Sequence, residues 1–124
     1  MIGIDLVKIA RIEKMMERFG DKALQKFLHK EEIALVKTAK TAAGFWATKE
    51  AVSKALGTGI GASCSFHDIL IYKEDSGAPK LSLSSKLVEK FAIEEAALSI
   101  THDGEYAISV VTLKSSTTYK IKQF

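Results

Sequence analysis

The chain has 124 residues, of which 47% are hydrophobic and 27% are charged; this balance is typical of one folded domain and excludes a largely disordered chain. The formal net charge is +3, and the excess lies in the first half: residues 1–62 hold 11 Lys and Arg against 7 Asp and Glu, whereas residues 63–124 hold 7 against 8. The single cysteine, Cys64, excludes an internal disulfide and a cysteine-rich zinc site, and it fits a reducing compartment.

The sequence gives no sign of export or of a membrane span. Asp5, Lys8, Arg11 and Glu13 interrupt the first twenty residues, and no later apolar run approaches the ~20 residues that a spanning helix needs. We therefore expect a single domain over residues 1–124, located in the cytoplasm and without a membrane partner.

The chain opens with a short apolar strand, Ile2 to Val7, that contains one acidic residue, Asp5. A carboxylate at this position has two explanations. It caps the following helix, or it points from the strand end into a cleft and holds a cation.

An amphipathic helix is predicted next, from apolar residues at helical spacing: Ile9, Ile12, Met15, Met16 and Phe19. Its basic side carries Lys8, Arg11, Lys14 and Arg18. This side is either a solvated face or a surface that binds an acidic partner.

A longer helix follows two short packing helices, and it runs from about Ala42 to Leu56 with Thr38 or Thr41 as its N-cap. Trp46, Glu50 and Lys54 stand at i, i+4 and i+8 on one face of this helix. Glu50 and Lys54 are either an ordinary surface ion pair or part of a site. Gly57, Gly59 and Gly61 then form a loop that either ends the helix or lets a phosphate reach backbone N–H groups.

The second half has the spacing of strands. We predict a strand from Phe66 to Lys73, a returning strand from Lys80 to Leu83, a helix carrying Leu87, Val88 and Phe91, and a hairpin formed by Ala96 to Thr101 and Glu105 to Leu113. Thr101 and His102 lie near the hairpin tip, as polar surface or as ligand contacts, while His67 is expected to be structural.

The tail from Ser115 to Phe124 is an extra edge strand or loose. The fold class is α+β, with helices from the N-terminal half packed on a mainly antiparallel sheet from the C-terminal half.

Three separated segments together resemble the bacterial holo-acyl-carrier-protein synthases, the small phosphopantetheinyl transferases. They are Gly3-Ile4-Asp5-Leu6-Val7 followed by Arg11-Ile12, the stretch Phe45 to Gly61 with its Trp-Ala-x-Lys-Glu-Ala-x-x-Lys-Ala-x-Gly-x-Gly-Ile-Gly pattern, and Leu98-Ser99-Ile100-Thr101-His102. Their order, their spacing and the chain length also match, so the resemblance covers nearly the whole chain.

The resemblance implies an enzyme of fatty acid biosynthesis that transfers the 4′-phosphopantetheine arm of coenzyme A to a serine of apo acyl carrier protein and releases adenosine 3′,5′-bisphosphate. Asp5 and Glu50 would supply carboxylate oxygens to Mg²⁺. Glu50 would also be the base for the serine hydroxyl, and Lys54 would neutralise a phosphate oxygen of the leaving group. Thr101, His102 and the three loop glycines would contact the nucleotide.

The resemblance has one departure and two further implications. Phe45 stands where many members carry Arg, so a phosphate contact is missing or is supplied by another basic residue such as Lys40. Arg11, Lys14 and Arg18 would bind the acidic carrier protein, in a salt-sensitive way. Similar enzymes are homotrimers with clefts between neighbouring subunits, and no nucleic acid partner is expected.

Two other functions remain open from the residues alone. A basic module that binds RNA would need exposed aromatic platforms, which are hard to find among Lys8 to Lys30. A trimeric scaffold with a decayed site is the other alternative, and Phe45 is the residue that keeps it open.

Overall fold

The computed structural model describes residues 1–117 and 121–124. Its elements are β1 (Ile2–Lys8), α1 (Ile9–Phe19), α2 (Asp21–Gln25), α3 (Lys30–Ile33), α4 (Ala39–Leu56), a 3-10 turn (Phe66–Asp68), β2 (Ile69–Lys73), β3 (Pro79–Leu83), α5 (Ser85–Phe91), β4 (Ile93–Asp103) and β5 (Tyr106–Ser115). The predicted α+β class is confirmed, with the N-terminal helices packed on antiparallel strands.

The main sheet has three antiparallel strands in the order β1-β5-β4, so the N-terminal strand pairs with the last one. β5 alternates strictly: Ala107, Ser109, Val111 and Leu113 are buried beneath α4, while the residues between them face the other side. The pairing starts at the first residue, since the Met1 amino group donates to Leu113 O at 2.8 Å and Leu113 N donates to Met1 O at 2.8 Å. β2 and β3 form a separate two-stranded sheet.

The long helix α4 lies across the inner face of the main sheet and divides the core into two clusters. One cluster surrounds Phe27, Phe45 and Ile12 beside α1 and α2, and the other surrounds Val52, Val111 and Leu87 beside α5. Ten residues of α4 are buried. The helix is therefore the element through which strand β1, strand β5 and the short helices are held together.

The outer face of the main sheet is apolar and open. Ile2, Ile4 and Leu6 are 69%, 59% and 56% exposed, and Ile108 and Val110 face the same side, since they pair with Leu6 and Ile4. A soluble monomer rarely exposes so many large aliphatic side chains together. Across the described parts of the chain, no helix is long and apolar enough to cross a membrane.

Several predicted element bounds are wrong. The strand predicted from Phe66 begins only at Ile69, because Asp68 Oδ2 accepts a hydrogen bond from Ser65 N at 2.9 Å and Asp68 N donates to Ser65 O at 3.1 Å, which closes a 3-10 turn. His67 lies on this turn and its Nε2 donates to Gln25 O at 3.1 Å, which is the structural role that we expected.

The predicted start of α4 and the predicted hairpin also need correction. α4 begins at Ala39 instead of about Ala42, and Thr38, one of the two predicted N-caps, holds the N-cap position without a hydrogen bond from its side chain. Thr101 and His102 are paired strand residues, because β4 continues to Asp103. The predicted tail strand falls partly on residues 118–120, outside the described residues, and residues 121–124 form no strand.

Candidate active site

Asp5 and the charged face of α4 lie side by side. Lys54 Nζ donates to Asp5 Oδ1 at 2.8 Å and to Ile4 O at 3.2 Å. Asp5 is mostly buried, with 13% of its side chain exposed, whereas Lys54 is 52% exposed. The interpretation of Asp5 as a helix cap is wrong, since Lys8 occupies the N-cap of α1 and Asp5 points to α4.

Glu50 lies one turn before Lys54, close enough to Asp5 for the charge of Asp5 to act on its carboxyl group. Burial raises the pKa of the Glu50 carboxyl, and the negative charge of Asp5 raises it further. The positive charges of Lys54 and Arg11 oppose this shift. A carboxyl whose proton affinity is increased by its surroundings is suited to act as a general base near neutral pH.

Arg11 reaches the charged face of α4 from α1. Its guanidinium carbon lies 5.1 Å from the centre of the Trp46 ring, a cation–π distance. Trp46 is in turn held by Phe27 and Phe66, whose ring centres lie 5.0 and 4.9 Å away. Because Trp46 lies one turn before Glu50 and the charge of Arg11 acts on the Glu50 carboxyl, Arg11 borders that carboxyl.

Lys49 is a residue whose environment sequence reasoning missed. Its Nζ is fully buried and donates to Glu32 Oε1 at 2.7 Å, to Phe27 O at 2.7 Å and to Phe66 O at 3.1 Å. Glu32 also accepts from the backbone N–H groups of His29 and Ile71, at 2.6 and 2.9 Å. This ion pair ties α4, immediately before Glu50, to α3, the 3-10 turn and β2. The sequence does contain a signal for this ion pair. Lys49 directly precedes Glu50 in α4, so the two side chains point in different directions and cannot both lie on the solvated face.

The glycine loop ends the helix as predicted but does not present a row of unused N–H groups. Gly57 has φ 76° at the C-cap. The N–H groups of Gly57, Gly59 and Gly61 donate to Lys54 O, Ser53 O and Cys64 O at 3.0, 3.3 and 2.9 Å. In this conformation the loop can approach a ligand closely, because a Cβ atom at any of the three positions would meet nothing within 4 Å, but these amides are already paired.

His102 packs against the first half of α4, before the turn that carries Glu50. Its Nε2 donates to Lys40 O at 2.9 Å. A cavity of about 210 Å³ opens beside it and is lined by Thr41, Gly44, Phe45, Lys73, Gly77, Pro79, Ile100 and His102. Gly44, which packs against the His102 ring, and Glu50 are six residues apart on one helix, roughly 9 Å along its axis. Among the described residues no hydrogen bond joins His102 to Asp5 or Glu50.

Thr101 faces away from His102. It pairs with Ile108, which lies on the outer sheet face, whereas His102 faces α4. Successive strand residues point to opposite sides, so a ligand in the cavity beside His102 does not reach Thr101 of the same chain directly.

The donor set at Asp5 and Glu50 fits magnesium. Mg²⁺ is commonly held by one or two carboxylates, with water and substrate phosphates completing its shell. The described residues contain no group of three or more His, Cys, Asp or Glu side chains that could hold a metal alone. Two neighbouring carboxylates beside the cations Lys54 and Arg11 match a magnesium site that substrate phosphates and water complete.

The basic residues of α1 continue away from the carboxylates. Phe19, 46% exposed, is flanked by Arg18 and Lys26, whose cationic groups lie 5.1 and 5.2 Å from its ring centre. Lys14 is exposed on the same helix. Arg11, Lys14 and Arg18 thus form a basic surface that leads from Glu50 to an exposed aromatic ring.

Comparison with known proteins gives one consistent answer. Residues 1–111 match the model of the ACPS family, 4′-phosphopantetheinyl transferase superfamily. The holo-(acyl-carrier-protein) synthase of Sulfurimonas denitrificans is 60% identical over 121 residues, which cover 98% of this chain and 100% of that protein. The crystal structure of the Helicobacter pylori synthase in complex with coenzyme A has a TM-score of 0.89 at 48% identity and covers 92% of this chain and 100% of that one. A Bacillus anthracis synthase in complex with CoA (3′,5′-ADP) has a TM-score of 0.78 at 38% identity, with 93% and 96% covered.

Proposed function

The chain belongs to the 4′-phosphopantetheinyl transferase superfamily, and from this membership we propose that it transfers the 4′-phosphopantetheine arm of coenzyme A to a serine of apo acyl carrier protein. The second product is adenosine 3′,5′-bisphosphate, and the reaction serves fatty acid biosynthesis in the cytoplasm. The observation that carries the proposal is the contact between Asp5 of strand β1 and Lys54 of the distant helix α4, beside Glu50, whose pKa responds to both charges.

The chemistry follows from these three side chains. The serine oxygen attacks the β-phosphorus of coenzyme A, and the bond from that phosphorus to the bridging oxygen breaks, so that the α-phosphate leaves with the nucleotide. Glu50 accepts the serine proton, directly or through a water. Lys54 stabilises the negative charge that develops on the leaving phosphate.

Asp5 and Glu50 would hold Mg²⁺. The bound ion would neutralise charge on the diphosphate and align its two phosphates. Lys54 contacts Asp5 directly, so its ammonium group could also bind the phosphates that the ion holds.

We place the nucleotide end of coenzyme A beside His102 and Lys40, in the cavity that Phe45 and Lys73 also line. Phe45 is 2% exposed and packs in the core, so it offers no phosphate contact, and the basic residues at this cavity are the available replacements for the family arginine. We also propose that Gly57, Gly59 and Gly61 contact the nucleotide.

The exposed apolar face of the main sheet supports a homotrimer with sites between subunits. The carboxylates and the His102 cavity lie on different parts of α4 in one chain, and one coenzyme A could bridge the carboxylates of one protomer and the His102 of its partner. The exposed aliphatic face of Ile2, Ile4 and Leu6 is a surface that such an assembly would cover, and Thr101 lies on that same side.

Apo acyl carrier protein would dock on α1 through Arg11, Lys14 and Arg18. Long-range attraction between these cations and an acidic partner accelerates encounter and weakens with salt. Arg11 borders Glu50, so a partner bound along α1 would deliver its serine next to the base.

The deciding experiment mixes the protein with coenzyme A, Mg²⁺ and apo acyl carrier protein and follows the mass of the carrier. We expect addition of the arm, loss of turnover by at least 100-fold in Asp5→Ala and Glu50→Ala, and a carrier KM that rises with salt. Unchanged turnover in both variants would refute the assigned roles. Tight, salt-sensitive RNA binding without coenzyme A turnover would instead identify a polyanion-binding module, and a folded trimer without any turnover would identify a scaffold.

A further inference from the structure

We propose that Gly3 is a positioning residue for the reaction: its missing side chain lets α4 rest directly on strand β1, which sets the spacing between Asp5 and Glu50. The inference rests on the proposed function, because it assigns a role toward the cation that these two carboxylates would hold. It concerns the backbone of β1 and α4 and requires no contact between Gly3 and substrate.

The contact at Gly3 involves backbone on both sides. A Cβ atom built on Gly3 would overlap the carbonyl oxygen of Ala51 and would lie 2.8 Å from the backbone nitrogen of Ala55. Those two atoms belong to one turn of the α4 hydrogen-bonded ladder. A helix backbone has no rotamer with which to avoid the clash, so a side chain at position 3 would have to push the helix and strand apart.

The same turn of α4 carries the charged groups of the site. Glu50 precedes Ala51, Lys54 precedes Ala55, and Asp5 lies two residues after Gly3 on the same face of β1. Lys54 Nζ reaches both Asp5 Oδ1 and Ile4 O. Helix and strand are thus in direct contact at the level where the carboxylates must share an ion.

A second contact fixes the helix at this level from the neighbouring strand. Thr48 Oγ1 donates to Gly44 O at 2.9 Å, and Ser109 Oγ lies 2.7 Å from Thr48 Oγ1. Ser109 is fully buried and is the register partner of Asp5. Small residues at positions 3 and 109 therefore both keep α4 close to the sheet beside Asp5.

Other glycines do not share this arrangement. A Cβ atom at Gly20, Gly57, Gly59, Gly61, Gly77 or Gly104 would meet no atom within 4 Å. At Gly44 it would approach side-chain atoms of Ile100 and His102, at 2.9 and 3.4 Å, which can turn aside. Gly3 alone among the glycines of the described residues is set against helix backbone.

The test is Gly3→Ala, assayed for transfer, for Mn²⁺ binding by electron paramagnetic resonance in the presence of coenzyme A, and for coenzyme A binding by calorimetry in EDTA. A shift on the order of 1 Å at a catalytic group can cost about 100-fold in rate. We expect turnover to fall by that factor and Mn²⁺ affinity to fall at least 10-fold, while coenzyme A affinity in EDTA stays within 3-fold of wild type. Wild-type turnover and Mn²⁺ affinity in the folded variant would overturn the inference.

Two further variants separate positioning from lost stability. Leu87→Ala opens a cavity in the cluster beside α5, away from the carboxylates, and should lower the melting temperature without lowering Mn²⁺ affinity; an equal loss of affinity would overturn the inference. Ser109→Thr adds one methyl group beneath α4 and decides the question if Gly3→Ala does not fold. We expect it to weaken Mn²⁺ binding by about 3- to 10-fold, and unchanged binding would contradict us. A wild-type protein that transfers no arm would refute the proposed function instead.

Discussion

Lys49 and Glu50 are consecutive residues with opposite environments. Successive residues on a helix point about 100° apart, so Lys49 enters the core and meets Glu32, while Glu50 is only partly buried and responds to the charge of Asp5. Burial lowers the pKa of Lys49, and the hydrogen bond and charge of Glu32 oppose that shift. The adjacent Lys-Glu of the family motif thus divides into a residue that fixes the helix and a residue to which the proposed function assigns the proton transfer.

Replacing Lys49 by Met should destabilise the fold strongly, because it leaves the fully buried Glu32 carboxylate without its positive partner. Breaking a buried ion pair from one side costs about 3–5 kcal/mol, and urea unfolding would measure the loss. The double variant Lys49→Met with Glu32→Gln should recover part of it. A single variant within about 1 kcal/mol of wild type, on the order of the median for an exposed pair, would show that the pair does not have this role.

Glu50→Gln should stabilise the metal-free protein at neutral pH while abolishing transfer. Because the folded-state pKa of Glu50 is raised, the native state binds its proton more tightly than the unfolded state, so the Glu50 carboxylate lowers stability as pH rises above its ordinary value of 4.5. Glu50 is partly exposed to solvent, which limits the gain to about 0.5 kcal/mol. Thermal unfolding in EDTA at pH 7.5 and at pH 4 should show the difference only at the higher pH; an equal difference at both would contradict this origin.

At the scale of elements, hydrogen bonds to one side chain hold the connection between the 3-10 turn and α5. Asp68 joins the 3-10 turn to the start of α5: it accepts from Ser65 N, from Ser84 Oγ at 2.8 Å and from Lys86 Nζ at 2.8 Å. Ser84 in turn caps α5, since Leu87 N donates to its Oγ at 3.4 Å. The short elements of this region thus depend on one carboxylate.

Asp68→Asn should cost about 1.5–3 kcal/mol at neutral pH, the range for hydrogen bonds to a charged group. Burial raises the pKa of Asp68, but hydrogen bonds from Lys86, Ser65 and Ser84 outweigh it and lower the pKa well below the usual range. Its stabilisation is present above the unfolded-state value of 3.8 and is lost as the pH falls through the lower folded-state value. Chemical unfolding at pH 7 and pH 2 should show the gap between wild type and variant closing, and a gap independent of pH would argue against ionisation as its source.

At the scale of the whole molecule, the proposed assembly accounts for two otherwise separate observations. The outer face of the main sheet exposes Ile2, Ile4 and Leu6, and Glu50 and the His102 cavity lie on different parts of α4 within one chain. A partner that covers that face could also supply the second half of a coenzyme A site. The assembly would then be required for activity as well as for solubility.

Leu6→Lys should convert the proposed trimer to monomers, because it places a charge in the centre of the apolar face. Light scattering after size exclusion would measure the mass, and transfer activity should fall with it by at least 10-fold. Tyr72→Lys is the matched control, since Tyr72 is 45% exposed but lies on the separate β2–β3 sheet. An unchanged mass in Leu6→Lys would place any subunit interface elsewhere.

The sequence alone predicts the parts of the site that depend on local periodicity. Trp46, Glu50 and Lys54 follow from helical spacing, and the end of α4 follows from Gly57. Asp5 joins them only through a non-local pairing, β1 with β5, which no local pattern predicts, and the family resemblance supplied that link.

The remaining features depend on tertiary distances that spacing does not encode. The amides of the glycine loop are consumed by hydrogen bonds to Ser53 and Cys64, and Gly3 is required by contact with a helix some fifty residues away. The burial of Lys49 beside Glu32 is also long-range. Each needs the packed fold before it can be recognised.

The pairing of Met1 with Leu113 has a practical consequence for handling the protein. Both backbone groups of Met1 are engaged with β5, two residues before Gly3, so an affinity tag or surface linker fused at this end would pull on the strand that carries Asp5. Phe124 is fully exposed, and attachment there leaves the strand untouched. Immobilised or labelled preparations should therefore be joined through the carboxyl terminus.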